Sequence, residues 1–369
     1  MNKNSLIELE HEGQGVWLDY IRRDIFSSGE LKRLIEEDGI SGMTSNPSIF
    51  EKAISSSTAY DSQLRDLLRN DPKTLVEILY EKIVVQDIQS AADLLMPVYQ
   101  RLKKADGFVS LEVSPLLAQD TQATLRQARH LWSAVGRPNV MIKIPATKSG
   151  IPAIEELIAE GININITLMF TMQHYQDVTR AFIQGLEKCK KPENVDSVAS
   201  FFVSRVDTAV DKILEEIASP EALDLRGKVG IANCQMIYRQ FKEIFYGDTF
   251  AGLILKGARV QRPLWASTST KNPNYPDVLY VESLSANNTV DTIPRETLYD
   301  FRDHGIARKD AIEKGKPEEM FFQLDKLGID LNKVGEQLQQ EGVNSFGLSY
   351  KKLLLALEEK KRIILSSIL

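Results

Sequence analysis

Val140-Met141-Ile142-Lys143-Ile144-Pro145, the loop Ala146-Thr147-Lys148-Ser149-Gly150, the helical stretch 151–160 and Ile162-Asn163-Ile164-Asn165-Ile166-Thr167 decide the fold. In the first piece Val140, Ile142 and Ile144 share one side, and Met141 and Lys143 share the other, the period of a strand. Ile151, Ile154, Leu157 and Ile158 then recur at helical spacing, and Gly161 stands where a glycine ends such a helix. The last piece alternates again, with three isoleucines on one face and Asn163, Asn165 and Thr167 on the other. Strand, loop, helix and strand in this order make the repeating unit of a parallel sheet.

Working outward, 16–19, 40–44, 108–113, 198–203, 263–267 and 278–283 read as further strands, which brings the number to eight. Helix-length segments separate them. One begins after Ser28, carries Leu31, Leu34 and Ile35 on a single face, and ends near Gly39. Eight strands alternating with helices predict an α/β fold, a (β/α)8 TIM barrel. From about Pro294 onward the pattern is helical, with Leu353, Leu354, Leu357, Ile363 and Ile364 marking apolar faces. The expectation is one domain over residues 1–369, with about 294–369 as additional C-terminal helices packed on the barrel.

The chain has 369 residues, 43% hydrophobic and 26% charged, and its 45 basic against 51 acidic side chains leave a net charge of −6. This is the composition of a globular protein rather than a disordered one. No long basic run offers a nucleic-acid surface, and no stretch approaches the length of a membrane span. The N-terminal MNKNSLIELEHEGQG lacks the apolar core of a signal peptide, and Cys189 and Cys234 show no pairing pattern, so a cytoplasmic location is expected. His11, His130, His174 and His304 are scattered without metal-ligand spacing. Gly13-Gln14-Gly15 lacks the third glycine of a dinucleotide fingerprint, and neither a GxxxxGK[ST] loop nor a GxSxG elbow is present.

What stands out is polar residues on strands that a barrel normally fills with apolar ones, because barrel chemistry sits at the C-terminal strand ends. Lys143 lies between Ile142 and Ile144, and desolvation there would favour a neutral, nucleophilic amine. The alternative is a strand-end lysine that reaches solvent or pairs with a carboxylate. Asn163, Asn165 and Thr167 read as an inward ladder or as the solvated face of an edge strand. Glu112, alternating with Leu111 and Val113, reads as a proton-transfer group or as half of an internal ion pair. Asp19, at the end of the first strand, reads as a site carboxylate or as a turn residue.

Two of these segments carry a family likeness. GMTSNPSIF at 42–50 resembles the first transaldolase signature, and MIKIPATKSGIPAIEELIAEGININITLMF at 141–170 resembles the second, which holds a Schiff-base lysine. QGVWLDYIRRD, SFFVSRVD and RPLWASTSTKNP are similar to the longer bacterial members, so the likeness covers most of the chain. It implies a class I aldolase-type barrel that uses no metal and no organic cofactor. The implied reaction moves a dihydroxyacetone unit from sedoheptulose 7-phosphate to glyceraldehyde 3-phosphate in the pentose phosphate pathway. The products are erythrose 4-phosphate and fructose 6-phosphate.

By the same resemblance Lys143 forms the imine, Asp19 takes the C4 hydroxyl proton, and Glu112 and Thr167 manage the catalytic water. Thr44, Asn46, Asn165 and Ser200 match positions that hold the donor, Phe202 follows on the sixth strand, and Arg205 matches a phosphate anchor. Shorter transaldolases carry Ser-Phe-Arg after the seventh strand. Here Ser267-Thr268-Ser269-Thr270-Lys271 stands there, so Ser267 and Lys271 are expected to bind phosphate. The shorter forms also have SPFVGR where this chain has Ser200-Phe201-Phe202-Val203-Ser204-Arg205. Rival expectations are a fructose 6-phosphate aldolase, whose members carry Gln and Tyr in place of Glu112 and Phe202, and a catalytically silent barrel subunit. Expected partners are phosphorylated sugars, with no nucleic acid and no membrane, and the expected assembly is a monomer or homodimer.

Overall fold

The computed structural model describes residues 4–368. Eight parallel strands close in sequence order into a barrel: β1 (Gln14–Asp19), β2 (Gly42–Thr44), β3 (Phe108–Glu112), β4 (Val140–Pro145), β5 (Ile164–Met169), β6 (Ser197–Phe202), β7 (Arg262–Ala266) and β8 (Thr289–Ile293). With helices between the strands and additional helices after β8, this is the expected (β/α)8 architecture.

The alternation read from β4 and β5 sorts two apolar regions. Val16, Leu18, Val109, Leu111, Ile142, Ile144, Ile164 and Ile166 pack outward against the helices. Trp17, Phe108, Met141, Val198, Leu264 and Val290 fill the middle of the barrel. Below them Trp17 Nε1 donates to Asp106 Oδ1 at 2.8 Å, and Arg262 pairs with Asp106 at 3.2 Å, so bulky and ionic groups plug the N-terminal end. A barrel of this size is filled by its own side chains, which leaves the opposite mouth for a site.

The eighth strand corrects the sequence reading. Segment 278–283 is not a strand: Leu279–Ser283 is a short helix that buries Tyr280 and Val281, and β8 lies ten residues on at Thr289–Ile293. Val278-Leu279-Tyr280-Val281 has strand-like composition, whereas β8 carries two threonines and an aspartate and so lacks the apolar run of a buried parallel strand. Smaller shifts occur elsewhere: Val203 opens the helix Val203–Ile217, and Ser267 lies one residue past β7. Gly39 and Gly161 do adopt positive φ, at 72° and 89°, just beyond the helices Glu30–Asp38 and Gly150–Ala159.

The helix Leu331–Ile368 runs across the C-terminal mouth. Two glycines permit its close approach. A Cβ on Gly335 would meet the Thr171 methyl at 2.1 Å, and one on Gly342 would meet Leu168 at 2.7 Å. Each glycine costs the helix roughly 0.5–1 kcal/mol relative to alanine, which the packing offsets. Gln339 then donates from Nε2 to the carbonyls of Ala146 and Leu168, both at 3.0 Å, tying the ends of β4 and β5 to this helix. No helix among the described residues is long and apolar enough to cross a membrane.

Asp291 is the outlier of the outer layer. It is fully buried, Thr268 Oγ1 donates to its Oδ1 at 2.8 Å, and its other oxygen has no partner. Burial pushes this carboxyl up to about 8. The folded chain therefore holds a proton that the unfolded chain has released, over the range from about pH 4 to 8. That contribution is whole below the unfolded value and is lost as pH rises through about 8. It amounts to a few kcal/mol in order of magnitude. Asp291→Asn should flatten the fall of the urea unfolding midpoint between pH 5 and 9. Equal slopes for variant and parent would show that Asp291 does not titrate there.

Candidate active site

The top of the barrel is polar because the inward positions at the strand ends are polar. Register places Asp19 beside Thr44, Glu112 beside Lys143, and Lys143 beside Asn165 around the wall. Both open readings of Lys143 and Glu112 now have a geometry. The side chains are 6% and 5% exposed, Lys143 Nζ lies 3.4 Å from Glu112 Oε2, and it donates to the Ser45 carbonyl at 3.2 Å. The two charges are therefore held together away from solvent, and neither reaches bulk water. The ladder on β5 is interior, not an edge face, since the barrel is closed and Asn163, Asn165 and Thr167 are buried.

A cavity of about 160 Å³ opens at this mouth, lined by Asp19, Thr44, Asn46, Lys143, Thr167, Ser200, Phe202, Arg205, Ser267 and Lys271. Ten of the twelve sequence-derived site residues thus share one wall. Of the other two, Glu112 reaches the site through its contact with Lys143. Asn165 lies one layer deeper, donating to Ser110 Oγ at 2.9 Å and accepting from Ser200 Oγ at 2.7 Å. It holds Ser200 in place.

Thr44 Oγ1 donates to Asp19 Oδ1 at 2.6 Å, so the Thr292 hydroxyl, also at 2.6 Å, is left to donate to Thr44. Burial raises the Asp19 carboxyl above the usual range, while Lys143 and the Thr44 hydrogen bond pull it back. Burial likewise raises Glu112, opposed first by Lys143. Thr167 Oγ1 is buried without a partner, and the residue after it, Leu168, takes φ 59° where the β5–β6 register breaks. Asn46 also does local work: its side chain accepts from Ile49 N at 3.0 Å and caps the helix Pro47–Ser55.

Two cations face the cavity, Arg205 from the first turn of the helix that follows β6 and Lys271 from the loop that follows β7. The Arg205 guanidinium stacks over Phe202 at 4.9 Å and over Phe346 at 5.7 Å. Burial lowers it, and burial followed by the charge of Arg205 lowers Lys271. Lys271 stands at the rim and donates to Ser269 Oγ at 2.6 Å. Ser267 adopts φ 58° and shares a hydrogen bond with Ser204 Oγ at 2.8 Å, which sets the turn leading to Lys271. Two mutually repelling cations beside an apolar ring suit an oxyanion with two charges.

The sequence reading missed Ser48, Ser269, Thr292 and Phe346, which also line the cavity. Thr292 was lost with the misplaced eighth strand, although Thr289-Val290-Asp291-Thr292-Ile293 does alternate around the inward Val290 and Thr292. Phe346 comes from the C-terminal helix and carries no local signal.

A parallel barrel with this mouth belongs to the α/β-barrel enzymes, and comparison with known proteins narrows the class. The family model described as Transaldolase/Fructose-6-phosphate aldolase matches residues 16–357. A protein named Transaldolase from Mycobacterium tuberculosis is 44% identical over 357 residues, covering 95% of each chain. Transaldolase from Mycolicibacterium smegmatis is 46% identical over 356 residues, again covering 95% of each. Transaldolase 2 from a Nostoc species is 44% identical over 381 aligned positions, covering 98% of each. The chain belongs to the transaldolase/fructose-6-phosphate aldolase family.

Proposed function

We propose that this chain is a transaldolase that moves a dihydroxyacetone unit from sedoheptulose 7-phosphate to glyceraldehyde 3-phosphate through an imine on Lys143. The observation that carries this reading is the buried Lys143–Glu112 pair at 3.4 Å, in a mouth that also holds Arg205 and Lys271. Glu112 takes a proton from Lys143, and the freed amine adds to the C2 ketone, its own proton passing to the C2 oxygen. Glu112 then gives a proton to the C2 hydroxyl, which leaves as water, and the nitrogen lone pair closes the iminium.

Asp19, aligned by Thr44, takes the C4 hydroxyl proton. The C3–C4 electrons flow into the iminium, the aldehyde leaves, and an enamine stays on Lys143. Addition to the acceptor aldehyde reverses these steps, and water frees the product ketose. Arg205 and Lys271 hold the distal phosphate, so binding energy remote from the chemistry orients the reacting carbons. The Phe202 ring, 7% exposed, adds no proton donor beside the enamine.

The test is turnover of fructose 6-phosphate with and without erythrose 4-phosphate. Acceptor-dependent sedoheptulose 7-phosphate formation supports the reading. Release of free dihydroxyacetone without acceptor points to the aldolase branch of the family, and no turnover points to a silent barrel. On this reading the chain is a single-domain enzyme of the pentose phosphate pathway that works in the cytoplasm as a monomer or homodimer.

The phosphate anchors have their own expected outcome. Arg205→Ala and Lys271→Ala should each lower kcat/KM for phosphorylated sugars roughly 10- to 150-fold, or ~1.5–3 kcal/mol, mainly through KM. Fructose without its phosphate should be affected little. A Lys271→Ala enzyme unchanged toward both would remove Lys271 from the phosphate site.

A further inference from the structure

Glu112 faces a second space. A chamber of about 70 Å³ lies between β3 and the helices Val76–Arg101 and Thr121–Val135, and Glu112 lines it together with Tyr80, Val84, Ser114, Leu131 and Tyr350. The substrate cavity is lined by Lys143 and Thr167 but not by Glu112. The carboxyl therefore stands between the two, with the amine in front and the chamber behind, and Asn46 borders both spaces beside it. Its Oε2 is buried and turned to the Lys143 amine at 3.4 Å, which leaves the rest of the carboxyl to face the chamber. At the other end the chamber reaches Glu77, which is exposed, and Glu81, which pairs with His130 at 2.7 Å. The rings of Tyr80 and Tyr350 meet edge to face at 5.4 Å between these ends.

We propose that this chamber is a water site that takes up and returns, through Glu112, the water of imine formation and hydrolysis by a route separate from the substrate mouth. The inference rests on the transaldolase reading and deepens it. While a sugar phosphate fills the mouth, water released at C2 needs an exit other than the mouth, and it must be kept from the enamine that forms in the next step. The volume suffices for a few water molecules, and the chamber's hydroxyl, carboxyl and amide groups give them partners. In the forward step Glu112 donates its proton, the C2–O bond breaks, and the water moves into the chamber as nitrogen forms the C=N bond. Hydrolysis returns it, with Glu112 regaining the proton. The geometry thus separates the water that the imine requires from the water that would destroy the enamine.

The test reads oxygen exchange. Without acceptor, each imine formation and hydrolysis in H2-18-O replaces the C2 oxygen of fructose 6-phosphate. Val84→Phe and Leu131→Phe fill the chamber from two different helices, away from the substrate cavity. Each folded variant should exchange at least tenfold more slowly than the parent, with the transfer kcat falling alongside and KM for fructose 6-phosphate within twofold. A folded filled variant that exchanges at the parent rate, or one whose loss is matched by an equal rise in KM, overturns the proposal.

A high-resolution crystal structure of the unmodified enzyme decides the matter even if both variants fail to fold. Ordered water in the chamber within hydrogen-bond distance of Glu112 supports the route, and a dry chamber overturns it. An unmodified enzyme that neither exchanges the C2 oxygen nor forms a borohydride-trapped imine would instead sink the transaldolase reading.

Discussion

Lys143→Ala should abolish transfer, with kcat falling roughly 10⁴- to 10⁶-fold, because the covalent route loses its only electron sink. In the parent, borohydride with fructose 6-phosphate should add a reduced sugar mass to the peptide that contains Lys143. Label on a different lysine, or near-parent turnover by the alanine variant, would sink the assignment. Lys143→Arg should be equally inactive, since a guanidinium keeps its protons and cannot add to a ketone. The alanine variant also leaves Glu112 buried without its ion-pair partner at 3.4 Å. Breaking such a pair costs up to about 3–5 kcal/mol. Burial already raises the Glu112 carboxyl, and without Lys143 it rises further. The stability loss should therefore be smallest at low pH, where Glu112 is protonated in both states, and grow as pH rises. Thermal unfolding across pH separates this effect from the loss of chemistry.

The second large effect falls on Asp19. Asp19→Asn keeps the shape and the neighbouring Thr44 hydroxyl but removes the base for the C4 proton. Transfer should drop roughly 10²- to 10⁴-fold in kcat. KM for fructose 6-phosphate should move little, because the phosphate contacts come from other segments, the helix after β6 and the loop after β7. The pH profile gives the sharper test. Burial lifts Asp19 above the ordinary carboxylate range, so the parent's acid limb should fall at a higher pH than an exposed aspartate would set. Activity needs the ionised form and is lost as pH falls through that raised value. In Asp19→Asn the limb due to this group should vanish while imine trapping on Lys143 persists. A variant that no longer traps the imine would place Asp19 in an earlier step.

These expectations rest unequally on sequence and on shape. Alternation in 140–145 and 162–167 is enough to set Lys143, Asn165 and Thr167 on the faces opposite the isoleucines, because a strand's side chains switch faces at every residue; the closed barrel turns those faces inward. The same rule failed at 278–283, where composition suggested a strand and the chain formed a helical turn. It also passed over Thr289–Ile293, whose aspartate and threonines disguise a buried strand. There the polar groups find partners in other elements: Thr292 meets Thr44, and Asp291 meets Thr268. Such pairings exist only after the barrel has closed.

The sequence by itself determined the repeating strand–helix unit, a lysine on the strand face opposite the isoleucines, and the carboxyl and hydroxyl groups at the strand ends. All of these follow from periodicity, which is local. The tertiary structure decided which groups meet. It set Glu112 against Lys143, left Thr167 Oγ1 without a partner, and placed Phe346 of the C-terminal helix on the Arg205 stack. Phe346 stands 141 residues beyond Arg205 in the chain. No repeat of two or 3.6 residues connects positions so far apart; they meet because apolar burial and the close approach at Gly335 and Gly342 lay one helix across the barrel mouth.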